Sequence, residues 1–403
     1  MALTPVAEAL AQILNGVEPL PGETAALPDA LGRVLTQDVG AHLTQPPSAL
    51  SAMDGYAVRA EDVAKAPATL KVVGEAAAGH PFGKTIASGE CARIFTGGVL
   101  PPGSDTVVIQ ENTTRDGDTV TIASTAAHGK NVRAAGIDFK QGETLLKQGH
   151  RLTDRDIMLA AGMNYPELPV RRVPVVAILG TGDELMPPGT KLKEGQIVHS
   201  SGFALAALIR AEGARVVDLG VAKDKLGDII ACIRRAKDAK ADVLLTTGGA
   251  SVGEHDLVQK ALAAEGITLS FWKIAMRPGK PMMHGRLGAM HVLGVPGNPV
   301  SSYVCTFLFL LPLIRRLAGR SDLHPPELTA KLGRDLPAND ERAEYMRATL
   351  TTEADGTLIA TPFPNQDSSL MSPLARADCL MIRERHAAAA AAGSPVVILK
   401  LGL

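Results

Sequence analysis

The chain has 403 residues, enough for roughly two to four domains that each bury a core of their own. Its 41 Lys plus Arg nearly cancel its 42 Asp plus Glu, so no global field draws it to nucleic acid or to an anionic membrane, and any anion binding must be local. Aromatic residues are 3% of the chain, with one Trp, too few for the stacking platforms of single-strand binders.

Thr4-Pro5 reads as N-cap and N1 of an amphipathic helix with Val6, Leu10, Ile13, Leu14 and Val17 on one side. No basic region with a following apolar run and cleavage site precedes it, and a cytoplasmic, soluble protein is the expectation. Residues 74–135 are rich in Gly, Pro and Val, with short apolar runs at 106–109 and 119–122 between turn signals, which predicts a β-rich insert. An extended piece at 143–146 and a helix at 154–161 follow; that helix is expected to rejoin the N-terminal one in a discontinuous domain.

From 173 to about 319 the pattern becomes regular. Strands at 173–179, 214–219 and 242–246 alternate with helices at 201–212, 226–239 and 254–265, and further strands and an apolar helix follow. Such alternation predicts a doubly wound, mostly parallel sheet covered by helices on both faces, with ligands at the carboxyl ends of the strands. The apolar run at 303–314 is short for a bilayer, carries Pro312 and reads as a buried helix. Strands at 345–350, 357–360, 379–383 and 396–401 suggest a small C-terminal β-barrel. The predicted division is a discontinuous N-terminal linker domain (1–50 and 135–172), a β-rich insert domain (51–134), an α/β domain (173–325) and a C-terminal β-barrel domain (326–403).

Cys91, Cys232, Cys305 and Cys379 lack CxxC spacing and read as reduced core residues, and ten histidines include no HExxH pair, which leaves a zinc site little support. The chemistry concentrates instead after the strands of the α/β segment. Gly180-Thr181-Gly182-Asp183-Glu184-Leu185 follows the first strand, and Thr246-Thr247-Gly248-Gly249-Ala250-Ser251-Val252-Gly253-Glu254-His255-Asp256 follows the third. Glycines let the backbone approach a ligand closely, and the amides so exposed favour phosphate. The carboxylates that end the second loop would repel a bare phosphate, which suggests a cation such as Mg²⁺ between protein and phosphate oxygens. The plainer alternative is a tight strand-to-helix turn whose acidic residues suit the helix dipole. Further on, Pro278 and Pro281 stiffen Lys273-Ile274-Ala275-Met276-Arg277-Pro278-Gly279-Lys280-Pro281, and Pro296-Gly297-Asn298-Pro299 offers Asn298 as N-cap and Pro299 as N1 of the next helix. A Pro-Gly turn with surface cations is the alternative for the former.

Together these segments resemble the molybdopterin molybdenumtransferases, the MoeA and gephyrin E-domain family of molybdenum cofactor biosynthesis. The resemblance covers nearly the whole chain and rests on residues 51–57 (SAMDGYA), 95–98 (FTGG) with Pro101-Pro102-Gly103, Val132-Arg133 with Gly136-Ile137-Asp138, GTGDEL, the loop 246–256, RPGKP, PGNPVS, and a weaker match around 368–380. It implies a molybdopterin-binding, MogA-like α/β domain and an enzyme that inserts molybdate into adenylyl-molybdopterin, giving molybdenum cofactor and AMP with Mg²⁺ present.

It also implies roles residue by residue. Glu184, Asp224 and Asp256 are the carboxylates for Mg²⁺ or for orienting the attacking group. Asp183 belongs with the substrate-binding residues, a loop brace being its alternative. Lys273, Arg277 and Lys280 would meet the anionic substrates. Gly180, Thr181, Gly182, Gly248, Gly249, Ser251 and Gly253 would hold the pterin phosphate, and Pro296, Gly297, Asn298 and Pro299 would wall the pocket. Asp54 and Thr96 would close the cleft from the neighbouring subunit of a homodimer, an ordinary Asp-Gly turn being the alternative for Asp54, while Asp138, Arg342 and Ser368 would line it. A molybdopterin adenylyltransferase and molybdoenzyme acceptors are the implied partners, with no nucleic acid and no membrane. The chain departs from the family pattern at Arg277, where Lys is common, at His199 and Ser201, where an acid and Asn are commoner, and at Lys225, where a second acid is usual. A binding module is the competing class, since some relatives use this architecture as a receptor scaffold; complete acidic positions argue for the enzyme.

Overall fold

A computed structural model of the chain describes residues 3–248 and 257–402, with the backbone alone described at 270–272. It divides into two compact units, one formed by residues 1–23, 32–34 and 170–403, the other by 24–31 and 35–169.

The second unit is built on a six-stranded sheet in the order Thr106–Ile109, Gly55–Val58, Glu90–Ile94, Ala68–Ala76, Thr119–Ile122, Thr113–Asp116. Tyr56, Val58, Cys91, Val120 and Ile122 form its core. Leu50–Ser51 pairs antiparallel with Val132–Arg133, which ties the entry of the Ser51–Ala57 motif to the segment before Asp138. Helix Asp154–Gly162 begins on a reciprocal cap, in which the Thr153 hydroxyl accepts from the Asp156 amide and Asp156 accepts from the Thr153 amide.

In the first unit the sheet order is Arg215–Ala222, Val175–Thr181, Val243–Thr247, Met290–Val295, Pro281–Leu287, Thr268–Lys273. The first four strands are parallel and the last two antiparallel. Helices cover both faces, because Val175–Thr181 and Val243–Thr247 are buried at every position and feed two separate cores. The expected doubly wound α/β domain is therefore present. One core takes Ala9, Leu10, Ile13 and Val17 of the N-terminal segment together with the apolar run near 310.

That apolar run extends over Pro299–Leu317 and so is longer than the sequence suggested; 83% of its most apolar window lies inside the fold, as expected of a core helix. Its middle turn, Thr306–Leu310, is a π-helix in which the Leu311 amide reaches back to Thr306 O, and the next residue, Pro312, has no N–H to give.

Two local expectations are corrected. Thr4 does not cap the first helix: Pro5 occupies the N-cap position, while Thr4 bridges in parallel to Ile274, its amide donating to Lys273 O at 3.0 Å and its carbonyl accepting from Ala275 N at 2.8 Å. Backbone pairing with a distant segment overrides the local capping preference. The helices expected to pair, Val6–Leu14 and Asp154–Gly162, fall in different units, because the apolar face of the first is taken up by the α/β core.

The C-terminal region closes into a five-stranded barrel. Ala343–Thr352 pairs with Leu358–Pro362 and with Cys379–Arg383, and Glu327–Leu332 and Pro395–Lys400 complete the ring. Glu327–Leu332, whose residues alternate polar and apolar, is a fifth strand beyond the four expected. Met276–Arg277 adds to the barrel in parallel beside Ala343–Glu344. All four cysteines are free and buried.

Candidate functional site

Three neighbouring parallel strands end together in the first unit, and their turns meet. Gly248 has φ +87°, and a Cβ there would lie 3.0 Å from both the carbonyl and the hydroxyl oxygen of Thr181. The Gly248 amide donates to Val295 O at 3.2 Å, and a Cβ on Gly297 would stand 3.7 Å from Gly248 Cα. At Gly248 the positive φ and the close approach to Thr181 require glycine, and the GTGDEL, TTGG and PGNP motifs, read separately in the sequence, are joined at one point of the sheet. Gly249, Ser251, Gly253 and Asp256 lie outside the described residues.

Around that point the acidic residues divide. The Asp183 amide donates to Asp224 and the Asp224 amide to Asp183, each at 3.3 Å, so the turns after Val175–Thr181 and Arg215–Ala222 brace each other. Lys223 Nζ stands 4.0 Å from Asp183. Glu184 folds its carboxylate over the Gly182 backbone, where a Cβ would meet Oε2 at 2.5 Å. All three carboxylates are exposed. Among the described residues no group of three His, Cys, Asp or Glu side chains forms a metal cage. The donors present are hard carboxylate oxygens, which suits Mg²⁺, an ion commonly bound through one or two carboxylates with water and substrate phosphate completing its shell.

Asn298 holds the N-cap position of Pro299–Cys305, but its side chain does not cap it. Instead Asn298 Nδ2 donates to Ser368 Oγ at 3.0 Å, and the Val300 amide donates to Ser368 O at 3.1 Å. A loop of the barrel is thereby fixed to the PGNP turn. Pro296, Gly297 and Pro299 shape that turn, and the Pro299 carbonyl accepts from Ser302 Oγ at 2.9 Å.

The RPGKP segment is stitched to the barrel rather than standing free. Arg277 donates to Asn339 Oδ1 at 2.8 Å and Glu344 Oε2 at 3.1 Å and pairs with Asp340 at 3.4 Å. Arg342 pairs with the same Asp340 oxygen at 2.9 Å. Two cations singled out in the sequence thus share one carboxylate, and hydrogen bonds from Arg342 hold Asp340 below the usual carboxylate range, with the Arg277 charge adding to the effect. Lys273 and Lys280 are exposed, at the two ends of a turn closed by Ile274 N donating to Lys280 O at 2.7 Å. The sequence reading missed Asn339, Asp340 and Glu344; the polar run Asn339-Asp340-Glu341-Arg342 before an apolar strand was the available signal.

In the second unit Asp54 Oδ1 accepts from the Thr96 amide and hydroxyl, so two motif residues 42 positions apart form one contact. Asp138 is exposed, its amide donating to Gln45 O at 3.1 Å. At the departure from the family pattern in the first unit, the His199 ring is wedged between Gly180 and Gly202; burial lowers its pKa and the Asp218 charge opposes that.

The geometry can be set beside known proteins. The molybdopterin molybdenumtransferase of Haemophilus influenzae is 34% identical over 384 residues, covering 94% of each chain. The chain belongs to the molybdopterin molybdenumtransferase family. The Nostoc sp. family member is 38% identical over 329 residues, 80% of this chain and 75% of its own length. Residues 4–163 match the MoeA N-terminal region (domain I and II), 177–316 the probable molybdopterin binding domain, and 329–401 the MoeA C-terminal region (domain IV). Among solved structures, the molybdopterin biosynthesis MoeA protein from Pyrococcus horikosii superposes with a TM-score of 0.85 at 29% identity over the full length of both chains. The family fold expected from the motifs is the fold observed.

Proposed function

We propose that the chain inserts molybdate into adenylyl-molybdopterin, with release of AMP, to form molybdenum cofactor. The observation that carries the reading is the meeting of Thr181, Gly248 and Gly297 at the ends of three adjacent parallel strands, where backbone can lie against a phosphate. In this reading Gly180, Thr181, Gly182, Gly248, Gly249, Ser251 and Gly253 receive the pterin phosphate. Pro296, Gly297, Asn298 and Pro299 form the opposite wall, with Ser368 held against Asn298.

The second substrate is also an oxyanion, and it needs cations whose positions do not wander. Arg342 and Arg277, braced on Asp340, supply one such pair, and the exposed Lys273 and Lys280 add charge that attracts anions. As water attacks the phosphoanhydride and AMP leaves, negative charge grows on the departing phosphate, and fixed donors stabilise it without reorganising. Glu184, Asp224 and Asp256 are the residues to hold Mg²⁺, with Asp183 bracing Asp224. When bound, the ion neutralises phosphate charge.

Asp54 and Thr96 are read as completing the cleft from the neighbouring subunit of a homodimer, and Asp138 as lining it. The enzyme would work in the cytoplasm, take its substrate from a molybdopterin adenylyltransferase and deliver its product to molybdoenzymes. The test is reconstitution: purified protein, adenylyl-molybdopterin, Mg²⁺ and molybdate should restore activity to a cofactor-free molybdoenzyme. No restoration above a control without the protein would contradict the reading.

A further inference from the structure

Arg347 is a fully buried arginine, 1% exposed, on the barrel strand Ala343–Thr352, and it makes no ion pair among the described residues. Every acceptor of its guanidinium is a neutral oxygen: Gln366 Oε1 at 3.2 Å, and the main-chain carbonyls of Leu370 at 2.8 Å, Asp367 at 3.0 Å and Asn365 at 3.5 Å. Burying an arginine without a contacting carboxylate is costly, and a planar fork is suited to gathering several carbonyls at once. The gathered carbonyls all belong to residues 365–370. Gln366 closes the arrangement by accepting from the Arg347 amide and donating to the Arg347 carbonyl, both at 3.0 Å.

That loop carries Ser368, whose hydroxyl and carbonyl meet Asn298 and Val300 at the PGNP turn. Asp367 sits beside the guanidinium, but its carboxylate is engaged by the Ser369 amide at 2.8 Å and hydroxyl at 2.6 Å. The loop has no helix or strand around Ser368, so these side-chain bonds, with the Val300 amide on the Ser368 carbonyl and the Leu370 amide on the Asp367 carbonyl, set where that hydroxyl stands.

We propose that Arg347 is a positioning residue of the substrate pocket: it templates the loop 365–370 so that Ser368 is presented to Asn298, and it thereby couples the barrel to the end of the α/β sheet. The proposal rests on the reading that Asn298 and Ser368 line the substrate pocket. A residue that only stabilised the barrel would act on all its strands alike; Arg347 acts on one loop and, through it, on one turn of another domain.

The experiment is hydrogen exchange on the full chain, parental against Arg347→Lys, which keeps the charge and loses the fork. Exchange should quicken in peptides covering residues 363–371 and 298–302 and stay unchanged in Glu327–Leu332 and Pro395–Lys400. If Arg347→Lys does not fold, Gln366→Leu, which removes the acceptor of Nε, should give the same pattern in weaker form. Uniform quickening across the barrel, or none at 298–302, overturns the proposal. In molybdate-dependent AMP release the lysine variant should raise the apparent KM for adenylyl-molybdopterin about tenfold with kcat changed far less. An unchanged KM also overturns it. A parental protein that releases no AMP defeats the functional reading instead, and the exchange pattern still decides the role of Arg347.

Discussion

Asp54 Oδ1 accepts two hydrogen bonds from one residue, from the Thr96 amide at 2.7 Å and the Thr96 hydroxyl at 2.8 Å. These bonds hold the Asp54 carboxyl below its ordinary value of 3.8, the Thr96 amide first and the hydroxyl second. A depressed carboxylate stabilises the fold above the unfolded pKa and ceases to do so as pH falls through the folded one. Thr96→Val should therefore move the Asp54 carboxyl back toward 3.8, read by carboxyl NMR, while the amide bond remains. A titration identical to the parent would show that the hydroxyl contributes nothing.

The acidic pair after the first two strands separates two roles. Asp224→Ala should slow AMP release at least about tenfold, ~1.4 kcal/mol of barrier, with substrate binding retained. Asp183→Ala should slow it less: each carboxylate braces the other's amide, but Asp183 also faces Lys223 at 4.0 Å, which leaves Asp224 the better placed to hold a cation. Steady-state kinetics on both variants decide the order; the reverse order would make Asp183 the working carboxylate.

Arg277 spreads its fork over Asn339, Asp340 and Glu344, which an ammonium cannot do. Arg277→Lys should cost about 1 kcal/mol in denaturant unfolding, discounted because the pairs are partly solvated. Asp340→Ala should free Arg342 and loosen Arg277, which keeps Asn339 and Glu344, and raise the apparent KM for molybdate more than that for adenylyl-molybdopterin. Equal changes in the two constants would place Asp340 outside the clamp.

His284 and His291 stack 5.8 Å apart in the sheet, and burial, with Arg286 nearby, lowers each pKa from 6.5 to about 4. Because Arg286 donates to His291 Nε2, the proton of the neutral ring sits on Nδ1, buried without an acceptor among the described residues. A histidine held neutral in the fold binds fewer protons than the unfolded chain. Stability should be full above pH 6.5 and fall as pH drops toward about 4. His291→Phe should flatten that fall in urea titrations at stepped pH, and an unflattened curve would place the acid sensitivity elsewhere.

Much of the α/β domain was legible because its signals are local: fully apolar strands, glycines directly after them, and Pro299 at the start of a helix. The convergence of Thr181, Gly248 and Gly297 followed from strand order, since parallel neighbours end on the same side. What escaped was set by distant partners. Thr4 spends its backbone groups on Lys273 and Ala275, and the side chain of Asn298 finds Ser368 rather than its own helix. Glu327–Leu332 alternates polar and apolar residues, a legible but short signal directly after Pro325-Pro326, and it is held as a strand between Pro395–Lys400 and Leu358–Pro362. Arg347 looks in the sequence like any strand arginine; its burial depends on a loop 18 residues further on, from Asn365.

The most direct test of the central claim is AMP release. Purified protein, adenylyl-molybdopterin and Mg²⁺ should release AMP when molybdate is added, and the rate should rise with molybdate and saturate. Release at the same rate with and without molybdate, or none in either case, would contradict the assignment.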